Sequence, residues 1–309
     1  MTNFRLALVP FVVALPLTAA AAENPIGALP QDTVWYMHAD LEEMRASESG
    51  SRIYEWFEDE VVVEIRDELG IDLNSEVNSI TAFSDSTNGT VMIVEGPITK
   101  ASQEKMLGIV KLEASVETRS HKGMEYYFIG DGPEQRSHGE DPFDDLEDAS
   151  YSSFAIDGKA IIAASEAQLK SLLESGGKVA GSGSHDGALF VLSAEKSFVQ
   201  AGLRTDTIAN GDGDGWESNI LRNTKQAALL VSESSGMIAV EARLESTDPK
   251  MAQAIGGIVN GLIGLQAFNS ELGPEIQTLI RNTKIVVNDA ILSINTVIDP
   301  DMVVSVLGD

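Results

Sequence analysis

The most defined chemical pattern in the sequence is an acidic, glycine-rich loop at residues 210–216. A calcium-binding EF-hand loop carries oxygen ligands at positions 1, 3 and 5 and a glycine at position 6. Asn210, Asp212 and Asp214, followed by a glycine, match that spacing. Position 12, where such loops carry a bidentate acid, is Leu221. The loop therefore predicts either a weak Ca²⁺ site or an acidic turn that binds no metal.

A histidine and an aspartate lie two residues apart on a predicted first strand, at His38 and Asp40. Alternate residues of a strand point to the same face, so this pair could bind a metal or exchange protons. Val34 and Tyr36 share the face, which favours a half-buried, hydrogen-bonded histidine. The H-E-x-x-H spacing of zinc proteases does not occur.

Ser193 and Lys196 match the S-x-x-K pattern of penicillin-recognising enzymes, in which the serine is the nucleophile. Ser102 and Lys105 match it equally well, and the companion K-T-G and S-D-N motifs are absent. Because so short a pattern recurs by chance, a hydrolase built on this pair, or on the histidine–aspartate pair, is the least favoured hypothesis.

An uncharged stretch at residues 251–268 contains four glycines, with the Gly257-x-x-x-Gly261 spacing of closely packed membrane helices. Polar residues interrupt the stretch and prolines bound it, which favours a helix packed in the core over contact with a membrane. Two alternatives stay open: the helix lines a groove for apolar ligands, or it packs against a second copy of the chain.

Composition restricts the partners of this chain. Its 309 residues include 48 acidic and 21 basic side chains, giving a formal net charge of −27 at pH 7. Such a surface repels nucleic acid and anionic lipid headgroups, and it leaves cations, basic protein surfaces or neutral ligands as partners. Because the chain has no cysteine, it has no thiol nucleophile and no thiolate metal site, and no cofactor is expected apart from Ca²⁺.

Residues 1–22 have the order of a secretory signal peptide. Arg5 precedes an apolar stretch at residues 6–17, and small residues then lead to a predicted cleavage site between Ala22 and Glu23. The stretch is shorter than the roughly 20 residues that span a bilayer, and no cysteine follows it to carry a lipid. The mature chain is therefore predicted to be periplasmic or secreted, without a stable membrane span.

The elements that must position these residues occur twice along the chain. Residues 23–180 and 184–309 each run from a strand and a helical region through a hairpin, further helix and a last hairpin. The four predicted turns are Asn88-Gly89, Asp157-Gly158, Ser235-Gly236 and Asn288-Asp289. The first unit also carries an acidic insertion at residues 131–149. The pattern predicts an α+β fold of two similar units, each a mixed or antiparallel sheet covered by helices on one face, with a ferredoxin-like topology as one candidate.

Both ends of the predicted mature chain resemble those of a group of uncharacterised exported bacterial proteins. The resemblance rests on Leu29-Pro30 with Asp32-Thr33-Val34-Trp35-Tyr36 near the start, and on Val286-Val287-Asn288-Asp289-Ala290-Ile291 near the end. It implies duplicated α+β halves and no established activity, so it assigns no catalytic residue.

The lack of a complete catalytic set favours a soluble, non-enzymatic binding or interaction protein of the bacterial periplasm. Its candidate partners are another protein, a second copy of the chain or an apolar ligand. A weak Ca²⁺-binding module that uses residues 210–215 is the alternative.

Overall fold

A computed structural model describes residues 33–58, 62, 72–130, 146, 149–179, 187–196, 223–266 and 273–307. The predicted signal peptide and the 210–215 loop lie outside the described residues, as does most of the acidic insertion.

The strands of the described residues form one sheet in which all neighbouring strands pair antiparallel. They are β1 (Thr33–Asp40), β2 (Ser79–Asp85), β3 (Gly89–Glu95), β4 (Val116–His121), β5 (Met124–Ile129), β6 (Ser150–Ser153), β7 (Lys159–Ala163), β8 (Ala188–Glu195), β9 (Thr224–Ser234), β10 (Met237–Ser246), β11 (Lys284–Asn288) and β12 (Ile291–Ile298). Across the sheet the order is β11-β12-β10-β9-β8-β1-β2-β3-β7-β6-β5-β4. The α+β class is confirmed, but both halves of the chain contribute to one sheet.

The strand order runs outward in a similar way from the central β1–β8 pair. On one side, β1, β2 and β3 follow in chain order and are joined by β7, the last strand of the first half. On the other side, β8, β9 and β10 follow in chain order and are joined by β12, the last strand of the second half. This order does not confirm the ferredoxin-like topology.

Helices connect the strands and pack on the sheet. They are α1 (Leu41–Ala46), α2 (Glu48–Phe57), α3 (Leu73–Glu76), α4 (Lys100–Glu113), α5 (Glu166–Glu174), α6 (Pro249–Gln266), α7 (Pro274–Asn282) and α8 (Pro300–Leu307).

Both faces of the sheet are covered, so the expectation of helices on one face was wrong. Tyr36 of β1 packs with Leu169 and other leucines of α5. Ala39, three residues further along the same strand, packs with Leu41 and Tyr54 of α1 and α2. Because side chains alternate along a strand, these two positions lie on opposite faces, which we call the α5 face and the α2 face.

Two of the four predicted hairpin turns, Asp157-Gly158 and Ser235-Gly236, lie where the sequence places them, and the β2–β3 turn occupies residues 86–88 because Gly89 pairs with Asp85. In the β9–β10 turn both Ser235 and Gly236 have positive φ, of 55° and 74°, the conformation that matches the twist of a two-residue hairpin. The β11–β12 turn begins one residue later than predicted, at Asp289, because Asn288 still pairs with Ile291.

Helix α2 connects the two halves of the chain. The carboxylate of Glu233, on β9, accepts hydrogen bonds from the backbone N–H and the hydroxyl of Ser49, both at 2.9 Å. In the middle of α2, Arg52 forms an ion pair with Asp301 of α8. A helix from the first half is thus fixed onto strands and a helix of the second half.

Candidate functional site

Ser193 lies in the interior of strand β8 and is fully buried. Its hydroxyl accepts a 2.7 Å hydrogen bond from the Gln226 amide and donates towards the Ala227 carbonyl at 3.4 Å. The S-x-x-K pattern requires a helix, where residues three apart share a face. Since β8 extends to Glu195, the serine sits in a strand and Lys196 follows the end of that strand. The structure does not form the helical arrangement that this chemistry needs.

His38 and Asp40 occupy the end of β1 and have different neighbours. The Nδ1 atom of His38 lies 2.8 Å from the hydroxyl of Thr81 on β2, and the ring is half-buried. The Asp40 carboxylate accepts a 2.8 Å hydrogen bond from the backbone N–H of Glu43, so it caps the N-terminus of α1. Asp40 therefore has a structural role that accounts for its side chain.

His38 and Ser193 nevertheless lie on the same face of the central strand pair. Tyr36 lies directly opposite Ser193, and His38 lies two residues further along β1. Burial raises the pKa of Tyr36 to about 12, against a smaller opposing effect of its bond to Thr81. Among the described residues, the partners of the serine hydroxyl are an amide donor and a backbone carbonyl. A serine nucleophile requires an adjacent general base, which neither group provides.

Two carboxylates whose pKa values are lowered accept hydrogen bonds at the N-termini of helices. The pKa of Glu233 is lowered first by the hydrogen bond from the Ser49 N–H. Glu76 is buried, and its carboxylate accepts hydrogen bonds from Ser102 at 2.8 Å and from the Thr99 N–H at 3.3 Å, at the start of α4. Burial raises the pKa of Glu76, but these hydrogen bonds outweigh it and the net shift is downward.

Within the described part of the chain, no three histidine, aspartate or glutamate side chains are grouped to hold a metal ion. The predicted Ca²⁺ ligands Asn210, Asp212 and Asp214 lie outside that part, so the calcium site stays a prediction.

Helix α6 is the clearest departure from the sequence interpretation, which placed it in the core. Among its 18 residues, those that are buried are Ala252, Ile255 and Gly256. The apolar side chains of Ile258, Leu262 and Leu265 are 39%, 42% and 71% exposed. Lys250 is the one charged residue of α6, and a helix this apolar is normally mostly buried, which α6 is not.

The glycines of α6 show which side of the helix faces the sheet. A Cβ atom added to Gly256 would lie 2.7 Å from Val287 and 3.4 Å from Leu292, so this side is closely packed on β11 and β12. A Cβ atom at Gly257, or at Gly261, would have no neighbour within 4 Å among the described residues. One side of α6 is therefore held against the α2 face, and the opposite side is open and exposes apolar residues beside the polar Asn260.

The neighbouring strands add exposed apolar side chains at the same end of the sheet. Strand β11 is an edge strand, and its Val286 is 52% exposed. Ile291 of β12 is 37% exposed and lies on the α5 face with Val286. Both side chains thus lie on the face of the sheet opposite α6. The C-terminal apolar surface is defined here as Gly257, Ile258, Gly261, Leu262 and Leu265 of α6.

This surface belongs to a segment that is neutral in a strongly acidic chain. Residues 249–298 contain three basic and three acidic side chains, so their formal charge is zero, whereas the whole chain carries −27. The charged residues of the segment are Lys250, Glu271, Glu275, Arg281, Lys284 and Asp289. The net negative charge of the protein is therefore carried entirely outside this segment.

An open cleft of about 480 Å³ lies elsewhere, at the loop that follows β3. Its lining residues are Asn78, Gly96, Pro97, Ile98, Asp157 and Gly158, none of which belongs to α6. No helix in the described ranges combines the length and apolar character needed to cross a membrane.

Comparison with known proteins gives a distant likeness. No family model matches the chain, and no curated protein matches it. Among solved structures, TP0453 in crystal form III is 11% identical with a TM-score of 0.46, over 93% of this chain and 98% of that one. TP0453 in crystal form IV is 10% identical with a TM-score of 0.47, over 94% and 98% of the two chains.

Proposed function

We propose that this chain is a non-enzymatic binding protein, exported to the bacterial periplasm, that holds a partner through the C-terminal apolar surface. The observation that carries the proposal is the exposure of Ile258, Leu262 and Leu265 on α6. The order of residues 1–22 supports export, since it matches a cleavable signal peptide.

Covering these exposed side chains with a partner lowers the free energy of the complex, because apolar surface is removed from water. Burial of apolar surface contributes about 25 cal/mol per Å², or about 1.5–3 kcal/mol for a fully exposed leucine or isoleucine. Scaled by their exposed fractions, Ile258, Leu262 and Leu265 together offer about 2–5 kcal/mol. That is enough to anchor an interface, because a few central residues carry most of the energy of binding.

The open shape of the surface favours a broad partner over an enclosed small ligand. Within the described part of the chain, Gly257 and Gly261 have no neighbours within 4 Å of an added Cβ, so they form an exposed strip. A carrier of apolar ligands, the alternative suggested by the sequence, needs concave walls that cover most of its ligand. We therefore place a partner surface ahead of a carried ligand.

We also propose that the chain consists of two similar units. The strand order supports this, because each half places its first three strands in sequence outward from the β1–β8 pair and then adds its last strand. The two units share helix α2 and its capping residue Glu233, so we expect them to unfold together.

The test compares two exposed leucines, one inside and one outside the surface. Leu265 is 71% exposed on α6, and Leu112 is 87% exposed on α4. The probe is the fluorescent dye bis-ANS, which binds exposed apolar protein surface. We expect Leu265→Glu to reduce the dye signal of the folded protein strongly and Leu112→Glu to leave most of it. Equal signals from both variants would contradict the proposed surface.

A further inference from the structure

We propose that one partner at this end of the sheet is a second copy of the chain, joined by antiparallel pairing of the two β11 strands about a two-fold axis. The inference rests on the proposed function in that it names a partner. It uses a different element, since β11 makes the contact and α6 remains available.

Strand β11 has, within the described ranges, an outer edge that no strand pairs with. It lies last in the sheet, and the described residues pair it on one side, with β12. Ile285 and Val287 point towards α6, whereas Val286 is exposed on the other face. Such an edge presents backbone N–H and C=O groups that a further strand can bind.

The opposite edge of the sheet, strand β4, is more charged than β11. Strand β4 carries Glu117, Arg119 and His121 at alternate positions, and the first two form an ion pair at 2.9 Å. Charged side chains along an edge resist pairing with another chain. Strand β11 has one charged residue, Lys284, at its start. Of the two edges, β11 is the one suited to pairing.

Charge favours association at this end. Two chains of net charge −27 repel each other wherever their acidic surfaces meet. A contact through the neutral 249–298 segment places that charge away from the interface. Repulsion is screened beyond about 8 Å at physiological ionic strength, so we expect added salt to strengthen the dimer.

The sequence of β11 is compatible with pairing to itself. An antiparallel pair centred on Val286 places this residue opposite its own copy and Lys284 opposite Asn288. Apolar residues then face each other and no two like charges are opposed. The contact is isologous, as in most two-fold dimers.

The geometry has a consequence for α6. In the dimer, a two-fold axis perpendicular to the sheet makes the two β11 strands antiparallel. It also puts the α2 faces of the two copies on the same side. Both copies of α6 would lie on the α2 face, on either side of the new strand pair. Dimerisation would then bring two copies of the exposed apolar side of α6 together into a larger binding surface.

The absence of cysteine from the chain makes a single introduced thiol a specific reporter. Facing side chains of an antiparallel pair have Cβ atoms about 4.5–5.5 Å apart, within reach of a short thiol cross-linker. We expect Val286→Cys to give a covalent dimer with such a reagent, and Leu112→Cys, the control, to stay a single chain. We expect Val286→Lys, which opposes two like charges at the axis, to weaken dimerisation at least about tenfold.

Light scattering and sedimentation of the purified chain give the mass. A single-chain mass at about 100 µM would overturn the proposal. So would a dimer that Val286→Lys leaves unchanged, or equal cross-linking of the two cysteine variants. Leu265→Glu separates this inference from the proposed function, because it should reduce the dye signal strongly while the dimer mass is kept. If Val286→Lys loses the dimer but keeps dye binding, dimerisation through β11 and binding by the C-terminal apolar surface are independent.

Discussion

Two adjacent glycines of α6 should respond differently to the same substitution. Replacing glycine by alanine inside a helix stabilises it by about 1 kcal/mol, because alanine loses less backbone freedom on folding. Gly257 faces open space, so Gly257→Ala should raise the free energy of unfolding by about that amount. The same gain applies to Gly256, but there the added methyl group meets a packed neighbour.

The cost at Gly256 follows from the structure. The new Cβ atom would lie 2.7 Å from a methyl carbon of Val287, a short β-branched side chain with little room to move. Overpacking of this kind costs about 1–3 kcal/mol. Gly256→Ala should therefore be neutral or lose up to about 2 kcal/mol, which places it about 1–3 kcal/mol below Gly257→Ala.

Urea unfolding of the two variants and the parent, followed by circular dichroism, measures the difference. Equal m-values would show that the substitutions change stability and leave the unfolded state unaltered. If Gly257→Ala destabilised the protein, or if both variants gained equally, the assigned orientation of α6 on the sheet would be wrong.

The remaining predictions concern helix capping, a close backbone contact and the calcium loop. Glu233→Ala should lower the free energy of unfolding by about 2–3 kcal/mol, since it leaves the buried N–H and hydroxyl of Ser49 without their acceptor, and Glu233→Gln by about 1 kcal/mol. The pKa of Glu233 is lowered in the folded state, so its contribution to the free energy of unfolding is present at neutral pH and is lost as the pH falls through that pKa. Urea unfolding between pH 3 and pH 7 should therefore show this loss of stability in the parent and not in Glu233→Ala. Gly96→Ala should lose about 2 kcal/mol or more, measured by thermal unfolding, because its Cβ would lie 2.8 Å from the Cα atom of Val77. Calorimetry at millimolar Ca²⁺ should give heat that disappears when Asp212 and Asp214 are replaced by asparagine, and no heat in the parent protein would end the calcium hypothesis.

Local chemistry made parts of the fold predictable. The hairpins around Asn88-Gly89 and Ser235-Gly236 follow from residues that accept positive φ between apolar runs. The helix that begins at Pro249 follows from an aspartate and a proline placed as a helix start requires. These signals lie within a few residues, so they do not depend on distant contacts.

Strand β4 could not be predicted, because its sequence from Val116 to His121 is mostly polar and shows no apolar run. It is an edge strand with several exposed residues, and its pairing with β5 depends on a tight turn at Gly123, whose φ is 81°. Strand β6 lies at residues 150–153, earlier than the apolar run that follows. Its position is set by pairing with β5 and β7, which the sequence does not reveal.

The candidate site was the least predictable part of the molecule. The composition of α6 is that of a core helix, and exposure depends on how many elements cover it, which is a property of the whole fold. The S-x-x-K pattern failed because β8 runs on to Glu195, so Ser193 lies within a strand and not on a helix with Lys196. Neutral charge over residues 249–298 was visible in the sequence and, considered with the charge of −27, marks this region as distinct.

Hydroxyl-radical footprinting of leucine side chains, in purified protein and in intact cells, tests the C-terminal apolar surface most directly. In the purified protein at a concentration low enough to keep it monomeric, Leu265 should be oxidised nearly as fast as Leu112, and the buried Leu169 should be protected. In cells, Leu265 should become protected as its partner covers it, while Leu112 should not. Protection of Leu265 in the isolated monomer, or equal oxidation of both leucines in cells, would contradict the account.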